Sequence, residues 1–290
     1  MMVGAKGTDN DLGGNHGLRR REEDELLDKR SFGDHVRMWR RVRRVSQLDL
    51  AAMAGVSTRH LSFLETGRSQ PSREMVLKLA QALAVPLRDR NPMLESAGFA
   101  AMYRTRAWDD PDLRPAMRSV QTVLAAHMPH PAVALDRLYD VVAANDAATA
   151  LLRKLLPQHA SSTINVIRAT LHPQALAPSI LNFTDWRADV LMRLAQQARL
   201  TGDSALSDLH REVSAYPLPP GLPAPRRVRP AAKPEVILPL ELRVGDRVLR
   251  FITTMTVFGS PHDIVLQEMA IETFFAADET TARFLRDTIS

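Results

Sequence analysis

The stretch Ser46–Ser72, "SQLDLAAMAGVSTRHLSFLETGRSQPS", decides the fold of the first part of this chain. It reads as two short helices pinched at Gly55. Ser46 is placed to cap the first helix, with Asp49 three residues on in a capping-box pattern. Gly55 tolerates the positive φ that stops a helix after Ala54, and Ser57 can cap the second helix. Leu48, Ala51 and Val56 are expected to meet Leu61 and Leu64 in an inner seam, where small Ala51 and Ala52 allow close approach. The outer face of the second helix is then left with Thr58, Arg59, Ser62 and Phe63.

Two helices joined in this way form a helix-turn-helix, whose second helix lies in the major groove of double-stranded DNA while the first crosses the backbone. That geometry gives each outward residue a task. Arg59 can hydrogen-bond guanine O6 and N7 together, and Thr58 and Ser62 can bond to base edges. Phe63 is an unusual surface residue, suited to a thymine methyl group or to packing on a neighbour. Gln47, at the start of the first helix, is placed to meet a phosphate. Arg43, Arg44 and Arg68 flank the site and would neutralise backbone charge.

Working outward, Phe32, Val36, Trp39 and Val42 recur at helical spacing with arginines opposite. Pro71-Ser72 opens a helix whose stripe is Met75, Val76, Leu79 and Leu83, and a fifth helix covers Leu87–Ala97. Between Arg30 and Arg90 there are 12 Lys and Arg against 5 Asp and Glu, whereas the 290-residue chain carries only +5 overall. A basic module joined to a mildly acidic remainder points to a polyanionic partner for one part of the chain. The expected organisation is a flexible arm at 1–30, an all-α domain of five helices at 31–99, a junction at 100–115 and an α+β domain at 116–290.

In the second domain a helix is expected at about Ala116–His127. "PAVALDRLYDVVAANDAATALLRKLL" reads as a strand and turn followed by a helix capped near Asn145. Residues 186–200 and 203–213 read as helices. Tyr216–Pro234 holds 7 of the 19 prolines and reads as an irregular loop. "VILPLELRV" alternates cleanly, Gly245-Asp246 signals a hairpin, and "RVLRFITTMTVF" and "IVLQEMAIETFF" complete a three-stranded antiparallel meander. A last helix starts near Asp278.

Composition narrows the chemistry. There are no cysteines, so disulfides, thiolate catalysis and cysteine zinc sites are out. No apolar run is long enough for a transmembrane helix, and the first 30 residues lack the apolar core of a secretory signal; the expectation is a cytoplasmic protein away from membranes. "GSPHD" places Ser260, His262 and Asp263 almost in sequence, but a catalytic triad needs members converging from separate elements. "GGNHG" lacks the strand a phosphate loop requires, and the nine histidines show no metal spacing. No catalytic residue, metal ligand or cofactor is assigned.

The quoted stretch resembles the XRE family, the phage-repressor and Cro-like regulators. The shared pattern runs Ser-Gln-x-x-Leu-Ala-x-x-Ala-Gly-Val-Ser, then x-x-x-Leu-Ser-x-Leu-Glu-x-Gly-x-x-x-Pro-Ser, and every element is present. The resemblance implies that Gln47, Thr58, Arg59 and Phe63 meet DNA and that Glu65 is structural; His60 departs from the usual aromatic. "HMPHPAVALDRLYDVVAANDAATALL" and "RFITTMTVFGSPHDIVLQEMAIETFFAAD" resemble the ligand-binding domain of MmyB-like regulators, a PAS-like fold. That match rests on Pro131, Asp136, Val141, Asn145, Gly259, Asp263, Glu272 and Asp278, with Ala277 where proline is usual. It implies a sensor for a small apolar effector, fatty-acid-like, as the one bound molecule. Phe183, Trp186, Phe251, Met255 and Phe258 are candidate lining residues, with Arg187 or Arg193 for an effector carboxylate; the apolar ones serve equally as plain core.

The expected function is a sequence-specific transcriptional regulator, homodimeric because one short helix reads too few base pairs, with double-stranded DNA and a small apolar effector as partners. Two other classes compete: an enzyme with an appended DNA-binding domain, which needs convergent titratable groups in a pocket, and a protein-interaction module using Phe63 and the junction.

Overall fold

The structure, a computed structural model, describes residues 30–104, 106, 108, 110–156, 163–220, 237–258 and 263–289. The arm before residue 30, most of the proline-rich loop and the Gly259–His262 turn lie outside the described residues. The chain divides into two compact units, Met1–Tyr103 and Arg104–Ser290.

The first unit has five described helices: α1 (Phe32–Arg43), α2 (Gln47–Met53), α3 (Thr58–Glu65), α4 (Arg73–Ala82) and α5 (Leu87–Ser96). Four begin on serine. Ser31, Ser46, Ser57 and Ser72 each accept a hydrogen bond from the backbone N–H three residues on, satisfying a donor that a helix start leaves free. At Ser31 the box is complete: Asp34 Oδ2 accepts from the Ser31 backbone N–H and from the Ser31 hydroxyl, and the hydroxyl bond, helped by Arg37, holds the Asp34 carboxyl down at about 2. Gly55 takes φ +55° at the turn, as its position between helices requires.

The core of this unit gathers Phe32, Val36, Trp39, Leu50, Ala51, Leu61, Leu64, Val76, Leu79, Met93 and Leu94. Two expectations need correcting: Leu48 is 67% exposed, and Leu50, fully buried, holds its place in the seam, while Ala52 is exposed and the small residues at the seam are Ala51 and Ala54. The buried row of α2 is Leu50, Ala51 and Ala54, with Gln47 one turn before it, and Leu48 lies about 100° round the helix from Gln47. Gly33 lets α1 approach α3: a Cβ there would stand 2.2 Å from the Glu65 carbonyl oxygen.

The second unit is α+β. In chain order it runs α6 (Arg114–Ala126), β1 (Ala132–Leu135), β2 (Val141–Ala144), α7 (Asp146–Leu155), α8 (Val166–Leu171), α9 (Phe183–Thr201), α10 (Ser204–Ser214), β3 (Leu240–Val244), β4 (Arg247–Val257), α11 (Ile264–Gln267), β5 (Ala270–Ala276) and α12 (Glu279–Ile289). The strands form one antiparallel sheet in the order β2-β1-β5-β4-β3. The expected meander is therefore part of a larger sheet. β1, "AVAL", is buried at every position and shows no alternation, and β2 is only four residues long. "IVLQEMAIETFF" is not one strand: Asp263 caps the helical turn α11, accepting from Val265 N at 2.8 Å, and the strand begins at Ala270.

The sheet has two packed faces. Val133, Leu135, Leu249 and Phe251 pack into the large core with α9, α10 and α12. Ala132, Ala134 and Ile271, on the opposite face, pack against Val120 and Leu124 of α6. Asn145 ties the layers. Its Oδ1 accepts from Ala132 N and Ala148 N, and its Nδ2 donates to Leu124 O and His130 O, so one buried amide joins α6, β1 and the start of α7. Asp136 holds the β1–β2 turn by accepting from Leu138 N and Asp140 N.

Candidate DNA-reading face and effector cavity

The position of α3 is set from beneath by Glu65. This carboxylate is buried, accepts from Arg40 Nε at 2.9 Å and from Gln47 Nε2 at 3.0 Å, and its backbone carbonyl accepts from Arg37 Nη1 at 2.7 Å. Charge-assisted bonds of this kind are about twice as strong as neutral ones, so α1, α2 and α3 are pinned at one point. The sequence placed Gln47 at the DNA; the structure adds that its amide already bonds Glu65, which orients it without removing its carbonyl oxygen.

Held in this way, α3 exposes Thr58 and Arg59 and leaves Ser62 and Phe63 half-buried. Phe63 now has a physical role within the unit. The Arg59 guanidinium lies 5.4 Å from its ring centroid and that of Arg68 6.0 Å, so one ring carries two cations. Arg44 is exposed, as is Arg68. Arg43 differs. Its Nε donates to Leu83 O at 2.9 Å and its Nη2 to Ala84 O at 2.7 Å, while the guanidinium sits 5.2 Å from the Trp39 ring centroid. It closes the carbonyl end of α4. The tie spans 40 residues of sequence, so no local pattern announces it.

In the second unit a cavity lies between the sheet and α9. Its wall is Tyr139, Val166, Ile167, Thr170, Trp186, Val190, Arg193, Met255, Glu272 and Phe274. It leaves about 20 Å³ for the centre of a water-sized sphere, room for one or two water molecules. Met255, 44% exposed, stands at its rim. Trp186, Val190 and Arg193 recur at helical spacing along one side of α9, and Tyr139 O–H donates to Gln197 one turn further.

The seven residues singled out for the effector are divided by the structure. Trp186, Arg193 and Met255 line the cavity. Phe183 and Phe251 are packed into the core, because they sit where α9 and β4 face the large apolar cluster. Phe258 packs on the opposite face of the sheet with the α6 cluster. Arg187 donates to Ser214 O at 2.7 Å, fixing α9 to the end of α10. Tyr139, Thr170 and Phe274 were not singled out as lining residues, and neither was Glu272. Glu272 is 6% exposed, and burial pushes its carboxyl up to about 7, with Arg193 pulling the other way. An acid at an inward position of "AIETFF" was the available signal.

Among the described residues no group of three or more His, Asp or Glu is arranged to hold a metal ion, and no described helix is long and apolar enough to cross a membrane.

Comparison with known proteins agrees with both units. A family model described as "Helix-turn-helix" matches residues 36–89, and one described as "MmyB-like transcription regulator ligand binding domain" matches residues 116–287. No curated protein matches the chain. A solved structure titled "Structure of an RNA-binding Light-Oxygen-Voltage Receptor" aligns with 96% of this chain and 67% of its own at 13% identity, with a TM-score of 0.28, too low to bear on fold or partner. With an XRE-type helix-turn-helix followed by that ligand-binding domain, the chain belongs to the MmyB-like family as a ligand-responsive DNA-binding transcription regulator.

Proposed function

We propose that this regulator works as a cytoplasmic homodimer that reads its operator with α3 and changes its DNA affinity when a small apolar effector enters the second unit. Arg59 reads guanine, Thr58 and Ser62 bond to base edges, and Phe63 supports the Arg59 and Arg68 guanidiniums while offering its edge to thymine. Gln47, Arg44 and Arg68 contact phosphates. The observation that carries this reading is the buried Glu65, bonded to Arg40 and Gln47, behind an α3 whose Thr58 and Arg59 are exposed. Dimerisation follows from the few base pairs one helix can read, since each base pair adds only about 1–3 kcal/mol of discrimination.

The effector in this reading has an aliphatic body with one polar end, as a fatty acid has. Trp186, Met255 and Arg193 supply the apolar contacts and the nearest cation. Met255 is unbranched and adaptable, suited to moving aside for a body larger than the present cavity.

Native mass spectrometry of freshly purified protein together with footprinting on genomic DNA tests this. The expected result is a dimer carrying a small apolar molecule and a footprint with two related half-sites spaced by whole helical turns. A monomer that protects a single half-site would overturn the dimer, and a ligand-free protein unaffected by added lipid would overturn the effector.

A further inference from the structure

The sheet leaves one stretch of strand edge open. Elsewhere its outer strands are met by other segments: Leu181 N–H donates to Glu241 O on β3, and Val141 N–H of β2 donates to Ile164 O. β4 runs on past β3, whose pairing with it stops at Leu240 opposite Phe251. Pro239, next in line, has no N–H with which to extend the ladder. From Ile252 to Val257, β5 is the one neighbour of β4 among the described residues. Backbone groups alternate in direction along an antiparallel strand. Arg250 N–H donates to Thr281 Oγ1 and its carbonyl accepts from Ala277 N–H, both on the β5 side. Ile252, Thr254 and Thr256 therefore point at β5, whereas Thr253, Met255 and Val257 aim their N–H and C=O groups outward. None of these outward groups bonds a described residue, and Thr254–Val257 are exposed. Folded proteins blunt open edges with charge or proline; Phe251–Phe258, "FITTMTVF", has neither.

We propose that a second copy of this chain occupies the edge, β4 against β4 about a twofold axis at Met255, so that two five-stranded sheets become one. The inference rests on the homodimer proposed above and names its interface. In this register Met255 faces its own counterpart, Thr253 faces the partner's Val257, and every outward N–H meets an outward C=O. In the intervening positions Thr254 faces the partner's Thr256 and Thr256 the partner's Thr254, and threonines opposed in this way exchange hydroxyl hydrogen bonds. A twofold axis sets each residue near its own copy, so a charged edge would repel itself. This one carries no charge, and its sequence is complementary to itself in that register. The length fits as well: β3 holds the edge up to Phe251, and the pairing needs only Thr253–Val257.

Sedimentation velocity of the full-length chain over a dilution series reads the dimer directly. Thr254→Lys with Thr256→Lys sets lysine opposite lysine at both pairs and should weaken the dimer about tenfold or more. Thr254→Lys with Thr256→Glu sets lysine opposite glutamate at the same pairs and should stay within about threefold of the wild type. Both side chains are exposed in the single chain, and circular dichroism checks that each variant is folded. Residue-resolved hydrogen exchange of the wild type needs no variant. The Thr253, Met255 and Val257 amides should be slow in the dimer and become fast on dilution to monomer, while those of Thr254 and Thr256, held by β5, change little. A dimer that is equally tight in the two charge variants, or equally weakened in both, would overturn the edge interface and leave the homodimer standing. So would outward amides that exchange at the same rate in dimer and monomer, whether fast or already protected by another segment of the same chain. A wild-type chain that is monomeric at every concentration would overturn the homodimer itself.

Discussion

Replacing Glu272 with glutamine should stabilise the second unit at neutral and alkaline pH and leave it unchanged in acid. In the folded chain, burial raises this carboxyl from an ordinary 4.5 to about 7. The folded form therefore holds its proton over a range in which the unfolded form has lost it. Below pH about 4.5 both forms are protonated and there is no penalty. Stability is lost as pH rises from about 4.5 to about 7, and above that the ionised, buried carboxylate exerts its full cost. At about 1.4 kcal/mol per pKa unit the cost reaches at most about 3 kcal/mol. Glutamine has nearly the same shape and never ionises, so Glu272→Gln should gain up to that amount at pH about 8 and nothing at pH about 4. Native-state hydrogen exchange of peptides spanning Ala270–Ala276, compared between wild type and variant at each pH, isolates the effect, because intrinsic exchange cancels in the difference. An equal difference in acid and in alkali would refute the reasoning, as would a variant less stable than wild type at pH about 8.

The first unit should respond to pH in the opposite sense. His35 is buried with its Nε2 unpartnered, and burial followed by the Arg30 charge lowers its pKa to about 4. The α1–α5 unit should therefore lose stability as pH falls from about 6.5 towards about 4, measured by exchange in α1 and α4 peptides; His35→Phe should flatten that slope. Gly33→Ala should destabilise the same unit by about 1–3 kcal/mol in urea unfolding, because the new methyl would meet the Glu65 carbonyl at 2.2 Å and force α1 from α3. Glu65→Ala should cost about 3–5 kcal/mol, since it strands the Arg40 charge and frees Gln47; a loss under 1 kcal/mol would show that the clamp does not hold α3.

How much of this was legible depended on how local the cause was. Helices α1 to α4 could be read almost to the residue because serine caps and Gly55 mark their ends within a few positions. Leu48 was misplaced by one step round a helix, an error that periodicity allows in a seven-residue segment with apolar residues on several sides. β3 and β4 were visible through alternation and the Gly245 turn. β1 and β2 were not separated, since a four-residue strand buried on both faces has no polar phase. Sheet order depends on β1 pairing with β5, more than 130 residues away, and nothing in either segment alone states that. The helix-turn-helix was legible because it is one helix and its neighbours. The cavity was only half so: α9 gave Trp186 and Arg193, but Glu272 acquires its meaning from Val133, Met255 and Trp186, which surround it only after folding. The use of Arg43 to close α4 was hidden for the same reason.

The claim at the centre of this account is that α3 reads base sequence, and fluorescence anisotropy tests it most directly. A duplex selected from a random library and a scrambled duplex of equal length are titrated at one fixed salt concentration with wild type and with Arg59→Ala. The account predicts that the wild type binds the selected duplex at least about 10³-fold tighter than the scrambled one. It also predicts that Arg59→Ala loses about 1–3 kcal/mol on the selected duplex and little on the other. A wild-type ratio near one, or equal weakening of both duplexes by Arg59→Ala, would contradict it.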